Sequence, residues 1–228
     1  MSKRADRHIS EMQRVIALLR AEETEAAYDL LADAFHRDRG IYLCGNGGSA
    51  STASHLAVDL GRVFRDCGGR RIRVMSLTDN VPWLTAVSND ECFADCFADQ
   101  LRNHLRPGDV LIGVSASGDS ENVVRAFQYA REVDASRLAL IGFDGGRLAR
   151  LATHRIWVDS YDYGIVESVH LFVGHLLTDM LSRGESHVPQ AVTTLDAAPK
   201  ECPAAAVCGS LRLPGEAAFT DAVAVRWA

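Results

Sequence analysis

Between residues 10 and 35 the apolar positions recur at helical spacing, as Met12, Val15, Ile16, Leu18 and Leu19 and then Ala26, Leu30, Leu31 and Ala34. This pattern predicts one or two amphipathic helices ahead of the core. Past Phe35 the pattern changes. Short apolar runs at residues 41–44, 72–77, 110–114, 138–141 and 156–158 are separated by longer, helix-patterned stretches. Strands in such a rhythm pair in parallel, because parallel neighbours require a crossover, and the crossing helices cover both faces of the sheet. The expected fold is therefore α/β: three layers, a five-stranded parallel sheet flanked by helices, and an N-terminal helical extension. A last strong helix is expected over residues 166–182. The organisation reads as N-terminal helices packing on the core (1–38), one α/β domain (39–184) and an atypical tail (185–228). The tail is rich in Ala, Pro, Gly, Thr and Val without clear periodicity, and is expected to be weakly ordered or packed on the surface.

Composition narrows the function more than the fold. The chain has 228 residues, 47% of them hydrophobic and 24% charged, with a net charge of −6, which fits one domain with a sizeable core. Lys and Arg are scattered, so there is no electrostatic footprint for nucleic acid and no polybasic membrane patch. No apolar run reaches the roughly 18 residues of a membrane span, and the N-terminus lacks a signal-peptide core; a cytoplasmic location is expected. Cys44, Cys67, Cys92, Cys96, Cys202 and Cys208 include no C-x-x-C pair and read as thiols. Cys92 and Cys96, one helical turn apart, offer at most half a metal site.

Two loops carry the candidate chemistry. The first apolar run ends in Gly45-Asn46-Gly47-Gly48-Ser49-Ala50 and leads straight into a helix pattern. A strand that feeds a glycine-rich turn into a helix N-terminus offers free backbone N–H groups and the positive end of a helix dipole to an anion. The spacing also satisfies G-x-G-x-x-A, so dinucleotide binding has to be considered. However, the acidic residue due at the end of the second strand is missing, and Asp79 comes too late. The run at 110–114 leads into Ser115-Ala116-Ser117-Gly118-Asp119-Ser120-Glu121-Asn122. Serine hydroxyls around a glycine at a helix start can donate to phosphate oxygens alongside the backbone. One N-cap would need only one such residue.

The helices after these loops supply titratable side chains. His55 and Asp59 lie four apart and so share one helix face, the spacing of a metal-binding pair. On the last helix stand Glu167, His170 and His175. Glu167 and His175 are separated by roughly 80° around the helix and about 12 Å along it, so both must lean inward to meet at one centre. His170 reads as a core histidine.

The segments GNGGSASTASH, SLTDN, SND, GDVLIGVSASGDSENVVRAF, GFDGG and ESVHLFVGHLL together resemble the sugar isomerase (SIS) domain, and within it the phosphoheptose isomerase group. The resemblance covers about residues 41–181. It implies the SIS fold, a homotetramer, and interconversion of sedoheptulose 7-phosphate and D-glycero-D-manno-heptose 7-phosphate through an enediolate. The family's catalytic and zinc-binding group maps onto His55, Asp59, Glu167 and His175. Asp59 stands where the family has glutamate, and Glu167 where it has glutamine. By the same resemblance Asp59 or Glu167 is the base, His175 its acid/base partner and His55 a metal ligand. One Zn2+ per site is implied, although the donor set also suits other divalent ions. Asn46, Gly47, Gly48, Ser49, Asn89, Asp90, Ser115, Ala116, Ser117, Ser120 and Glu167 are then expected to hold the sugar phosphate. The competing expectation is a non-catalytic SIS protein, either a phosphosugar-sensing regulator or an assembly factor.

Overall fold

The computed structural model describes residues 3–66 and 71–183. Helices α1 (Lys3–Ala17) and α2 (Ala21–His36) precede the sheet. The alternation then runs β1 (Ile41–Gly45), α3 (Gly48–Asp66), β2 (Val74–Ser76), α4 (Val81–Asp90), a single 3-10 turn (Phe93–Asp95), α5 (Cys96–His104), β3 (Val110–Ser115), α6 (Glu121–Glu132), β4 (Ser136–Ile141), α7 (Leu148–Leu151), β5 (His154–Trp157) and α8 (Tyr163–Arg183). All strand pairs are parallel, in the order β2-β1-β3-β4-β5. This is not the 3-2-1-4-5-6 order of a dinucleotide-binding sheet. It is the doubly wound order whose direction of winding reverses between β1 and β3, where the strand ends leave a crevice for a ligand.

Alternation along the strands divides the core into two layers, because successive side chains point to opposite faces. Ile41, Leu43, Ile112, Val114, Leu138 and Leu140 face the layer that contains Val15, Leu31, Leu56, Leu60, Val169, Val173 and Leu177, from α1, α2, α3 and α8. Tyr42, Cys44, Leu111, Ala139 and Ile141 face Phe97, Leu101, Val123, Phe127 and Leu148, from α5, α6 and α7.

The strands differ from expectation at the sheet edges. β2 is shorter than residues 72–77 because only β1 pairs with it. β5 begins at His154, two residues before the expected run, because its pairing with β4 starts at His154 and Leu138. Helices α3, α6 and α8 begin earlier than their apolar periodicity, at Gly48, Glu121 and Tyr163. The added residues, Gly48 to Ala50, Glu121 and Asn122, and Tyr163 to Ile165, begin each helix before its regular apolar stripe, although Asn122 and Ile165 are already buried.

Cys44, Cys92 and Cys96 are free thiols. Cys67, Cys202 and Cys208, like the expected tail at 185–228, lie outside the described residues. Among the described residues no helix is long and apolar enough to cross a membrane.

Candidate active site

Strands β1 and β3 are neighbours, with Gly45 in register with Val114, so the glycine and serine loops leave the sheet side by side at the switch point. A reciprocal amide pair ties them together. Asn46 Nδ2 donates to Asn122 Oδ1 at 2.9 Å, and Asn122 Nδ2 donates to Asn46 Oδ1 at 2.9 Å. Asn122 is buried and its Oδ1 also accepts the Val123 N–H, at 3.0 Å. Asn46, expected to contact substrate, uses one amide N–H and its Oδ1 in this tie. Asn122 carried no assignment in the sequence, since its partner lies 76 residues away.

In the serine loop, Ser115 Oγ accepts the Gly118 N–H at 3.1 Å and Ser117 Oγ accepts the Asp119 N–H at 3.3 Å. A hydroxyl that accepts in this way keeps its own proton to donate outward. Ser120 occupies the N-cap position of α6 without a side-chain capping bond. Ser49 and Ala116 are buried beside the two loops. Asn89 and Asp90 sit exposed at the C-terminal end of α4, where Asn89 Nδ2 donates to Asp90 Oδ1 at 2.8 Å.

Helices α3 and α8 pack side by side and bring together three titratable groups. His55 Nε2 lies 2.9 Å from His175 Nε2 and 3.2 Å from Asp59 Oδ2, and His175 Nε2 lies 3.7 Å from the same oxygen. Tetrahedral ligands at bond lengths of about 2.05 Å stand about 3.3 Å apart. The three observed separations bracket that value, so this donor set fits one divalent cation with a coordination position left open. Exposure of the three side chains, 49% for His55, 28% for Asp59 and 53% for His175, leaves that position accessible.

Glu167 does not join this group. Its carboxylate lies against Gly48, the first residue of α3, so closely that a Cβ at Gly48 would fall 2.5 Å from Cδ and 2.7 Å from Oε1, with Oε2 closer still. Helix α3 has no acidic residue in its own first turn. The carboxylate of Glu167 thus faces the positive end of the α3 dipole, where an anion is favoured. His55 and Glu167 line one cleft of about 280 Å3 together with Gly48, Ser51, Thr52, Ser168 and Leu171.

His170, one turn beyond Glu167, is fully buried, and neither ring nitrogen has a hydrogen-bond partner. Desolvation pushes its pKa down to about 4, only weakly opposed by the nearby Ile141 carbonyl. It is a neutral core residue.

Two helix starts at the switch point of a parallel sheet, with a metal-fitting group and a separate carboxylate on α3 and α8, define an α/β domain whose candidate site lies where open parallel sheets bind their ligands. Residues 7–142 match the SIS domain family. A phosphoheptose isomerase from Aquifex aeolicus is 33% identical over 180 residues, covering 78% of this chain and 93% of that protein. One from Rhodospirillum rubrum is 42% identical over 142 residues, 62% of this chain and 74% of that protein. The solved structure of a phosphoheptose isomerase from Neisseria gonorrhoeae superposes with a TM-score of 0.73 at 31% identity, covering 80% of this chain and 98% of that one. The chain belongs to the SIS domain family, among the phosphoheptose isomerases.

Proposed function

We propose that the protein is an aldose–ketose isomerase that converts sedoheptulose 7-phosphate to D-glycero-D-manno-heptose 7-phosphate. The observation that carries this reading is the division of the site: His55, Asp59 and His175 converge on one point, while Glu167 stands apart from that group in a cleft it shares with His55. Each part then has its own task. The phosphate binds at the α6 start, held by the hydroxyls of Ser115, Ser117 and Ser120 and by loop N–H groups. The α3 start is already faced by Glu167, which disfavours a second anion there, so the backbone of Gly47, Gly48 and Ser49 contacts the sugar instead.

Glu167 removes the proton from C1 of the ketose, giving an enediolate, and returns a proton to C2, which leaves the aldose. The hydroxyl proton passes from O1 to O2, and His175 can carry it only through Nδ1, because its Nε2 faces the convergent point that would hold a cation. His55, Asp59 and His175 hold a divalent cation, zinc by preference for nitrogen and carboxylate donors. When bound, that ion supplies Lewis-acid stabilisation of the developing oxyanion. Asn89 and Asp90 are proposed to reach the substrate across a subunit boundary of a homotetramer. That assembly would also cover Ile9 and Leu18, which are about half exposed on and just beyond α1.

The test is turnover of sedoheptulose 7-phosphate by the purified, chelated protein before and after zinc is restored. Phosphosugar binding without turnover under both conditions would replace the isomerase with a binding protein.

A further inference from the structure

The start of α6 presents a physical problem for the phosphate just placed there. Asp119 and Glu121 flank the serine loop, and each puts a carboxylate at the helix end that would receive a dianion. Unneutralised, they would repel it. One side chain from the next crossover meets both. Arg147 Nε donates to Asp119 Oδ1 at 3.1 Å, Nη2 to the Asp119 carbonyl at 2.6 Å, and Nη1 to Glu121 Oε2 at 2.7 Å; its backbone N–H also donates to Asp119 Oδ1, at 3.0 Å. Arg125 meets Glu121 from the other side, at 3.1 Å, and is shared with Asp95 at 2.7 Å.

The segment that carries Arg147 also braces the serine loop through its backbone. Gly142 N–H donates to the Ala116 carbonyl at 3.0 Å and Leu148 N–H to the Gly118 carbonyl at 3.0 Å. Gly118 packs directly on the Gly145 carbonyl, and a Cβ on Gly146 would fall 2.6 Å from the Ser117 carbonyl oxygen. The carbonyls of residues 116, 118 and 119 are therefore all drawn toward this segment. The loop keeps its hydroxyl protons to donate, whereas the N–H groups of Gly118 and Asp119 are taken up by Ser115 and Ser117 within the loop.

We propose that Arg147 is a positioning residue for the substrate phosphate: it holds the serine loop in place and, with Arg125, offsets much of the charge of Asp119 and Glu121 beside the phosphate site. This inference rests on the isomerase reading for its substrate, but it concerns a residue that makes no contact with the reacting carbons. A phosphate-directed role affects binding and leaves the chemical step largely alone.

The experiment compares wild type, Ser117→Ala, Arg147→Met and the triple variant Arg147→Met/Asp119→Asn/Glu121→Gln. The readouts are KM and kcat for sedoheptulose 7-phosphate, and the inhibition constant of inorganic phosphate as an independent probe of the anion site. Arg147→Met is expected to raise KM and the phosphate inhibition constant together by about tenfold, with kcat changed by less than threefold. Removing the two carboxylates should then recover a large part of the lost phosphate affinity, since the repulsion is gone. An unchanged phosphate inhibition constant in Arg147→Met overturns the inference, as does a loss confined to kcat. If Ser117→Ala also leaves phosphate inhibition unchanged, the phosphate does not bind at the serine loop and the placement beneath this inference fails instead. Melting temperatures of all variants report whether a loss comes merely from unfolding.

Discussion

Replacing Gly48 with alanine should separate the stability of the fold from the activity of the site. The new Cβ would overlap the end of one flexible side chain, the Glu167 carboxylate, and no backbone atom is among its nearest contacts. Glu167 can rotate away, so the overlap need not strain the fold. Gly48 is the first residue of α3. Alanine at a compatible helical position lowers the entropy of the unfolded chain, which stabilises by about 0.4–1 kcal/mol. For a domain of about this size, 1 kcal/mol shifts the melting temperature by roughly 2–4 °C. Gly48→Ala is therefore expected to melt at the wild-type temperature or up to about 4 °C above it. Turnover should nevertheless fall by about 10²–10⁴-fold, the range associated with losing a positioned general base. The assays are thermal denaturation and kcat for sedoheptulose 7-phosphate, with a double-mutant cycle as control. In a Glu167→Ala background the Gly48 substitution should cost nothing more, because the group it displaces is already gone. Full activity in Gly48→Ala would show that the carboxylate is not needed where the structure puts it. An additional loss in the double variant would mean that alanine obstructs the sugar directly.

Asp59→Asn should weaken zinc binding, measured by competition with a chromophoric chelator, by at least tenfold, whereas Glu167→Gln should retain zinc and lose turnover; the reverse pattern would return the base to Asp59. Asn122→Ala removes both amide bonds to Asn46 and the bond to Val123 N–H, which should cost about 1–3 kcal/mol in chemical denaturation; a cost near zero would mean the two loops do not depend on that tie. His170 titrates near 4 when folded and near 6.5 when unfolded, so the unfolded chain binds the extra proton between those values and stability falls as pH drops through that window. Between pH 7 and pH 5 the loss from this one group is about 2 kcal/mol, and His170→Leu should remove it; an identical pH dependence in wild type and variant would assign the loss to other groups.

The sheet was legible in the sequence because its strands are buried on both faces and read as continuous apolar runs, as at Ile41 to Cys44 or Leu138 to Ile141. Edge strands were legible less accurately. β2 has one neighbour and half-buried residues at Val74 and Met75, so hydrophobicity does not mark its ends. The start of the last helix was misjudged by three residues, at 166 instead of Tyr163, for a related reason. Apolar periodicity marks the residues that pack in the core, whereas Gly48, Glu121 and Tyr163 themselves are a glycine and two exposed side chains that carry no such signal. At the site, the i,i+4 spacing of His55 and Asp59 pointed correctly to a shared helix face. The contribution of His175 depended on α3 packing against α8, which no local pattern records. The Asn46–Asn122 tie and the hold of Arg147 on Asp119 join residues 76 and 28 positions apart. Only the strand order brings them together.

The shortened acid at position 59 then acquires a structural explanation. An aspartate four residues from His55 brings its oxygen to 3.2 Å from Nε2 without leaving α3, so the missing methylene costs nothing for gripping a cation on the helix surface. What it gives up is reach, because its side chain is held against the imidazole pair and has little length left to extend toward a substrate carbon. Glu167 has the opposite arrangement. It comes from the facing helix, lies over the glycine at the α3 start and stands clear of the convergent group. On the proposed mechanism this is the position from which Glu167 meets the sugar. The absence of a side chain at Gly48 is what makes this position available, and it ties the glycine loop, read in the sequence as an anion cradle, to the placement of the proposed base.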